Sequence, residues 1–83
     1  LKDQIRRASL SIMNNIAEGF TRFSSKEKVR FFEIAQSSAS EVKSMFYLME
    51  DLEYMEAEQA ENFRNDVDQC QKQIWGLIKY LKR

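Results

Sequence analysis

Proline and histidine are absent from this chain, and glycine occurs only as Gly19 and Gly76. Punctuation this sparse suits long helices rather than a many-stranded fold. Without histidine the chain lacks the commonest general base and metal ligand. A di-iron carboxylate bundle needs Glu-x-x-His pairs, and none can exist here. No glycine-rich phosphate loop is present. One cysteine, Cys70, cannot form an internal disulfide, which fits a reducing cytoplasm. No stretch approaches the roughly 18 apolar residues of a membrane span, and no charged-then-apolar leader is visible. The expectation is a cytoplasmic protein with no membrane partner, no cofactor, no metal and no small-molecule substrate.

What the chain does have is helix formers: Glu, Lys, Arg, Gln, Ala, Leu, Met and Ser dominate. Its 43% hydrophobic and 12% aromatic content is too rich for a disordered segment. Its 83 residues make one domain, 1–83, with a modest core. Leu1 stands where a gene product would begin with Met, so the expectation is that an upstream segment is missing.

Three amphipathic helices are predicted. The first spans about 2–18, with Ile5, Ala8, Ile12, Ile16 and Phe20 recurring at three and four. Gly19 follows where a left-handed stop residue belongs. The second spans about 25–52. Ser24 and Glu27 have the S-x-x-E spacing of a capping box. Its stripe is Phe31, Ala35, Ser38, Val42, Met45, Met49 and Leu52, widened by Phe32, Ala39 and Phe46 on one side and by Ile34 and Leu48 on the other. An arc this wide belongs to a helix that is central in its domain or buried on a second face by another subunit. The small run Ser37-Ser38-Ala39-Ser40 lets a neighbour approach closely. A break is placed at Glu53-Tyr54-Met55-Glu56, where the apolar phase changes. The third helix spans about 56–82, with Ala60, Phe63, Val67, Cys70, Ile74, Leu77 and Leu81 as an a/d seam; Trp75 and Ile78 lie just off it. The fold class is therefore all-α, an antiparallel up-down helical bundle.

Net charge is zero, but the charges are segregated. Residues 1–30 hold seven basic and three acidic side chains, 31–68 hold two and ten, and 69–83 hold four and none. Short connections make consecutive helices antiparallel. One bundle end then gathers Arg22, Lys26, Lys28, Arg30, Lys79, Lys82 and Arg83. The other gathers Glu50, Asp51, Glu53, Glu56, Glu58 and Glu61, partly relieved by Lys2, Arg6 and Arg7. Two readings compete. Acids at helix starts and bases at helix ends complement the helix dipole, a rule the third helix obeys throughout. A basic rim that meets phosphates is the functional alternative, and Lys26, Lys28 and Arg30, at a helix start, favour it.

Few residues are candidates for chemistry. Cys70 sits on the seam, where cysteine acts as a small hydrophobe. Glu18 and Arg22 have the spacing of a helix-end salt bridge. Asn14 and Asn15 are poor helix-interior residues, so one of them is expected to have a specific hydrogen-bond partner. Tyr47 and Trp75 are either interface anchors or half-exposed packing residues.

The stretch Arg6-Arg7-Ala8-Ser9-Leu10-Ser11-Ile12-Met13-Asn14-Asn15-Ile16-Ala17-Glu18-Gly19-Phe20 resembles the signature of the bacterial four-helix bundle proteins first noticed in intervening sequences of 23S ribosomal RNA genes. Arg22, Ser24, Glu27, Arg30-Phe31-Phe32, Ile34-Ala35, Ser37 and Glu41 continue the match, and the third helix follows in pattern. The resemblance makes Asn15, Glu18, Gly19, Ser24 and Glu27 structural motif positions. It also implies one more helix at the N-terminus, which this chain lacks. Family members often carry Pro where Met13 stands, Gly where Gln36 stands and Gly where Glu53 stands. The resemblance further implies a homo-oligomer, a pentameric ring, with no assigned activity. The accessory proteins of diversity-generating retroelements resemble this family too; they associate with reverse transcriptase and nucleic acid through strongly basic surfaces, whereas this chain is neutral.

These readings converge on a non-enzymatic self-assembling module whose interface would use Phe32, Phe46, Tyr47, Leu48 and Trp75. The alternative is an oligomer that binds structured RNA through the basic end.

Overall fold

A computed structural model describes every residue from Leu1 to Arg83. It contains α1 (Lys2–Thr21), α2 (Ser25–Asp51) and α3 (Ala57–Leu81), and no strand. The molecule measures 44 × 22 × 12 Å. Its long dimension is that of α2, since 27 residues at about 1.5 Å each reach about 40 Å.

The helices are antiparallel neighbours in chain order. Cross-helix partners descend on one helix as they climb on the next. Ser11 meets Ser38 and Gly19 meets Phe32; Gln36 meets Gln71 and Lys43 meets Asp68. Both α1 and α3 pack along α2 but not along each other. α2 is therefore the central helix, and its two neighbours account for the buried part of its wide apolar arc. The core cluster is Val29, Phe32 and Ala35 of α2 with Ile74 and Ile78 of α3. Ile12 and Ile16 of α1, with Cys70, Leu77 and Leu81 of α3, close around it.

Several expectations change at this level. The buried arc of α2 is Val29, Phe32, Ala35, Ser38, Ala39, Val42 and Met49, turned toward the Phe32 flank. Ile34, Leu48 and Leu52 are left in solvent. Ile78, placed just off the α3 seam, is almost fully buried, while Phe63 on the seam is exposed. In α1 only Ala8 and Gly19 are buried, and Phe20 is exposed. For α1 and α3 the exposed apolar positions share one cause. Each outer helix has a single packed neighbour, so its apolar stripe is only half covered.

Gly19 does not stop α1. The helix runs two residues further, and no glycine has positive φ. Its role is close approach. A Cβ on Gly19 would stand 2.6 Å from the Phe32 ring, inside contact distance, so the missing side chain is what lets that ring seat against α1. Phe20 then meets Phe32 edge to face at 5.3 Å.

Between α1 and α2 the small residues act as the sequence suggests. Ser38 and Ala39 are buried, and the Ser11 and Ser38 hydroxyls hydrogen-bond at 2.8 Å. Asn15 is the asparagine with a partner: it donates to the Ser11 carbonyl at 2.8 Å and to its hydroxyl at 3.2 Å. Between α2 and α3, Gln36 donates to the Gln71 carbonyl and Gln71 donates to the Gln36 carbonyl, at 3.0 and 3.3 Å. Gln71 also reaches the Ser40 hydroxyl at 2.9 Å. These amides tie two helix backbones together, and no periodicity argument announces them.

Candidate functional site

Two surfaces stand out, an apolar cleft along the bundle and the cationic end.

The cleft follows from the packing order. Because α1 and α3 both pack along α2 and their backbones stay apart, an open cleft lies between them with α2 as its floor. It encloses about 390 Å³ among Ile12, Met13, Val42, Phe46, Phe63 and Cys70. Phe46 and Phe63 stack with centroids 5.0 Å apart and planes 8° from parallel. Met13 and Phe63 remain exposed at its rim. Cys70 lies in its lining, half-buried, as a seam cysteine does.

The expected interface residues fall into different places. Phe32 is 1% exposed and belongs to the core of its own chain, so it has no face to offer a second subunit. Its assignment to an interface is corrected for that reason. Phe46 lines the cleft. Tyr47, Leu48 and Trp75 are exposed on the outer faces. Tyr47 carries the Arg64 guanidinium 4.0 Å above its ring, and Arg64 also pairs with Glu50 at 2.9 Å. That largely buried arginine anchors α3 to α2 near the acidic end.

At the other end, the seven basic side chains do not act alike. Lys28 turns inward and donates to the carbonyls of Gly19 and Phe20, at 3.4 and 3.3 Å. It satisfies the last turn of α1, where a cation complements the helix dipole. Lys28 is thus a cap from a neighbouring helix rather than a free phosphate ligand. Arg22 pairs with Glu18 at 2.8 Å and lies 4.8 Å from the Phe31 ring centre. Lys82 is 3.8 Å from Glu33, and Arg83 lies over Tyr80. Lys26, Arg30 and Lys79 form no ion pair. Lys26, Arg30 and Lys82 share a groove of about 680 Å³ between the start of α2 and the end of α3, with Glu27 and Glu33 also in its wall.

The motif positions account for local geometry. Asn15 bridges α1 to α2 through Ser11, and Glu18 holds Arg22. Gly19 admits Phe32. The Ser24 hydroxyl accepts from the Glu27 amide at 3.1 Å, which is the N-cap half of a capping box. One residue escaped the sequence reading altogether. Phe23, in the loop between α1 and α2, is 101% exposed. It lies off both helical stripes, and that isolation was the signal available.

No helix is long and apolar enough to cross a membrane. A family model described as 23S rRNA-intervening sequence protein matches residues 1–76. No curated protein and no solved structure matches the chain.

Proposed function

This chain belongs to the 23S rRNA-intervening sequence protein family, and we propose that it is a non-enzymatic module that self-assembles by covering its apolar surfaces with further copies of itself. One observation carries this reading. Only 12 of 83 residues are buried, while an equal number of large apolar side chains lie exposed, from Leu10 and Met13 to Trp75 and Tyr80. A core this small supports a domain of this length weakly. Exposed apolar area on such a scale marks an association surface. The pentameric ring implied by the family resemblance is the assembly proposed.

The chemistry of the chain supports a role without catalysis. Histidine is missing, and the lone thiol is packed among apolar side chains. The single cysteine also suits the cytoplasm as the proposed location. Light scattering on the chain at micromolar concentration tests the assembly. A multimer is expected, and Met13→Glu should shift it toward the monomer without unfolding it. A wild-type monomer would overturn the reading.

A second reading, association with RNA, draws support from the three unpaired cations Lys26, Arg30 and Lys79 at one end. Binding that weakens steeply with salt is the expected signature.

A further inference from the structure

The loop between α1 and α2 holds an aromatic ring that neither the core nor the cleft uses. Phe23 is fully in solvent. Its neighbours in the chain, Thr21, Arg22, Ser24, Ser25 and Lys26, are all polar, and the ring of Phe20 before them is engaged edge to face with Phe32. A protein hot spot is ordinarily an anchor seated in a packed, desolvated surround. A single ring on a polar, cationic loop instead offers a flat π face with charge beside it, the arrangement that stacks a nucleobase.

Cations stand at the same end of the bundle. Lys26 and Arg30 are four apart on α2 and so share one face, which lines the groove that ends at Lys82. Lys79 lies in the last turn of α3. The start of α2 adds the positive end of its dipole. The negative pole of α1 at the same end is capped by Lys28. Three carboxylates share this region: Glu18 is held by Arg22, Glu33 lies near Lys82, and Glu27 lines the groove. They divide the positive field into separate spots. That suits the sparser charge of a single strand better than the dense paired charge of a duplex.

We propose that this end binds single-stranded nucleic acid, with Phe23 stacking on an unpaired base while Lys26, Arg30 and Lys79 hold the flanking phosphates. The proposal rests on the second reading above and sharpens it from structured RNA to unpaired nucleotides. Its test is separate from that of the assembly, because Met13 lines the cleft whereas Phe23 and these cations do not.

Fluorescence anisotropy with the full chain tests it, using labelled oligouridine, oligothymidine, a duplex RNA and, separately, phosphatidylserine vesicles. Single strands should bind at low salt more tightly than duplex. Phe23→Ala should weaken single-strand binding by about 5- to 150-fold, the range of one lost stacking contact. Its salt dependence should stay as in the wild type, and Phe23→Trp should retain affinity. The triple variant Lys26→Glu, Arg30→Glu, Lys79→Glu should abolish binding. Loss in the triple variant with no effect of Phe23→Ala would overturn the stacking role and leave the cationic rim standing. Absence of nucleic-acid binding by the wild type at low salt, or binding to vesicles alone, would overturn both. Because Phe23 touches nothing in the core, its variants should keep the wild-type unfolding midpoint, which separates lost binding from lost folding.

Discussion

The two turns of this protein connect similar helices by different means. At the α1–α2 turn, side chains do the work. Ser24 caps α2, Lys28 caps α1 from the next helix, and Gly19 admits the Phe32 ring. At the α2–α3 turn, the backbone does it. Tyr54 N–H bonds to the Met49 carbonyl and Glu53 N–H to the Glu50 carbonyl, at 2.9 and 3.0 Å. This 6→1 and 5→2 pair is a Schellman motif, which requires a left-handed residue at its centre. That residue is Glu53, with φ of 59°. It is the only non-glycine residue with positive φ, and it carries a Cβ penalty that glycine would not. Glu56 then precedes α3 without a side-chain cap bond. The first turn is locally satisfied; the second is held by its hydrogen-bond pattern against an unsuited residue.

The largest expected effect lies at the first turn. Gly19→Ala gains helix propensity of up to about 1 kcal/mol but drives a methyl into a ring that is packed and cannot swing away. A net loss of about 1–2 kcal/mol is expected from urea unfolding. In a Phe32→Leu background the same substitution should cost little, and an equal cost in both backgrounds would remove the close-approach explanation. Next comes Ser24→Ala, expected to cost about 1 kcal/mol through loss of the bond to the Glu27 amide. Thermal unfolding reports it as a lower Tm.

The second turn should respond in the opposite direction. Glu53→Gly is expected to stabilise by up to about 1 kcal/mol, because relief of left-handed strain exceeds the added freedom of the unfolded chain. A lower midpoint for Glu53→Gly would show that this turn is not strained. The smallest expected effect is Glu56→Asp, a gain of about 0.5 kcal/mol from a better N-cap on α3, measured in the same titration. Together the four variants test whether one turn is optimised and the other is not.

The difference between the turns also separates what was legible in advance from what was not. The Ser24 cap follows from a spacing of three in the chain, a local relation that sequence displays directly. The break at 53–56 was visible as a change of apolar phase, and the resemblance pointed to glycine at position 53. Gly19 was misread as a helix stop because glycine has two uses, positive φ and close approach. Only the position of Phe32 across the interface distinguishes them. Lys28 was grouped with the free cations for a similar reason. Its charge is evident in the chain, but its reach back to the α1 carbonyls depends on the angle at which the two helices meet.

The sequence by itself determined the three helices, their amphipathic stripes, the antiparallel order and the segregation of charge between the ends. These are properties of periodicity, composition and short connections, and each is settled within a single helix or turn. Tertiary structure alone decided that α2 is central, that its Phe32 flank is buried while Ile34 and Leu48 are exposed, and that α1 and α3 leave a cleft between them. An apolar arc records how much of a helix prefers to leave water, since the hydrophobic effect is non-directional. Which neighbour covers which part of the arc depends on shape. Here the small residues Gly19 and Ser38 set how closely α1 and α2 approach.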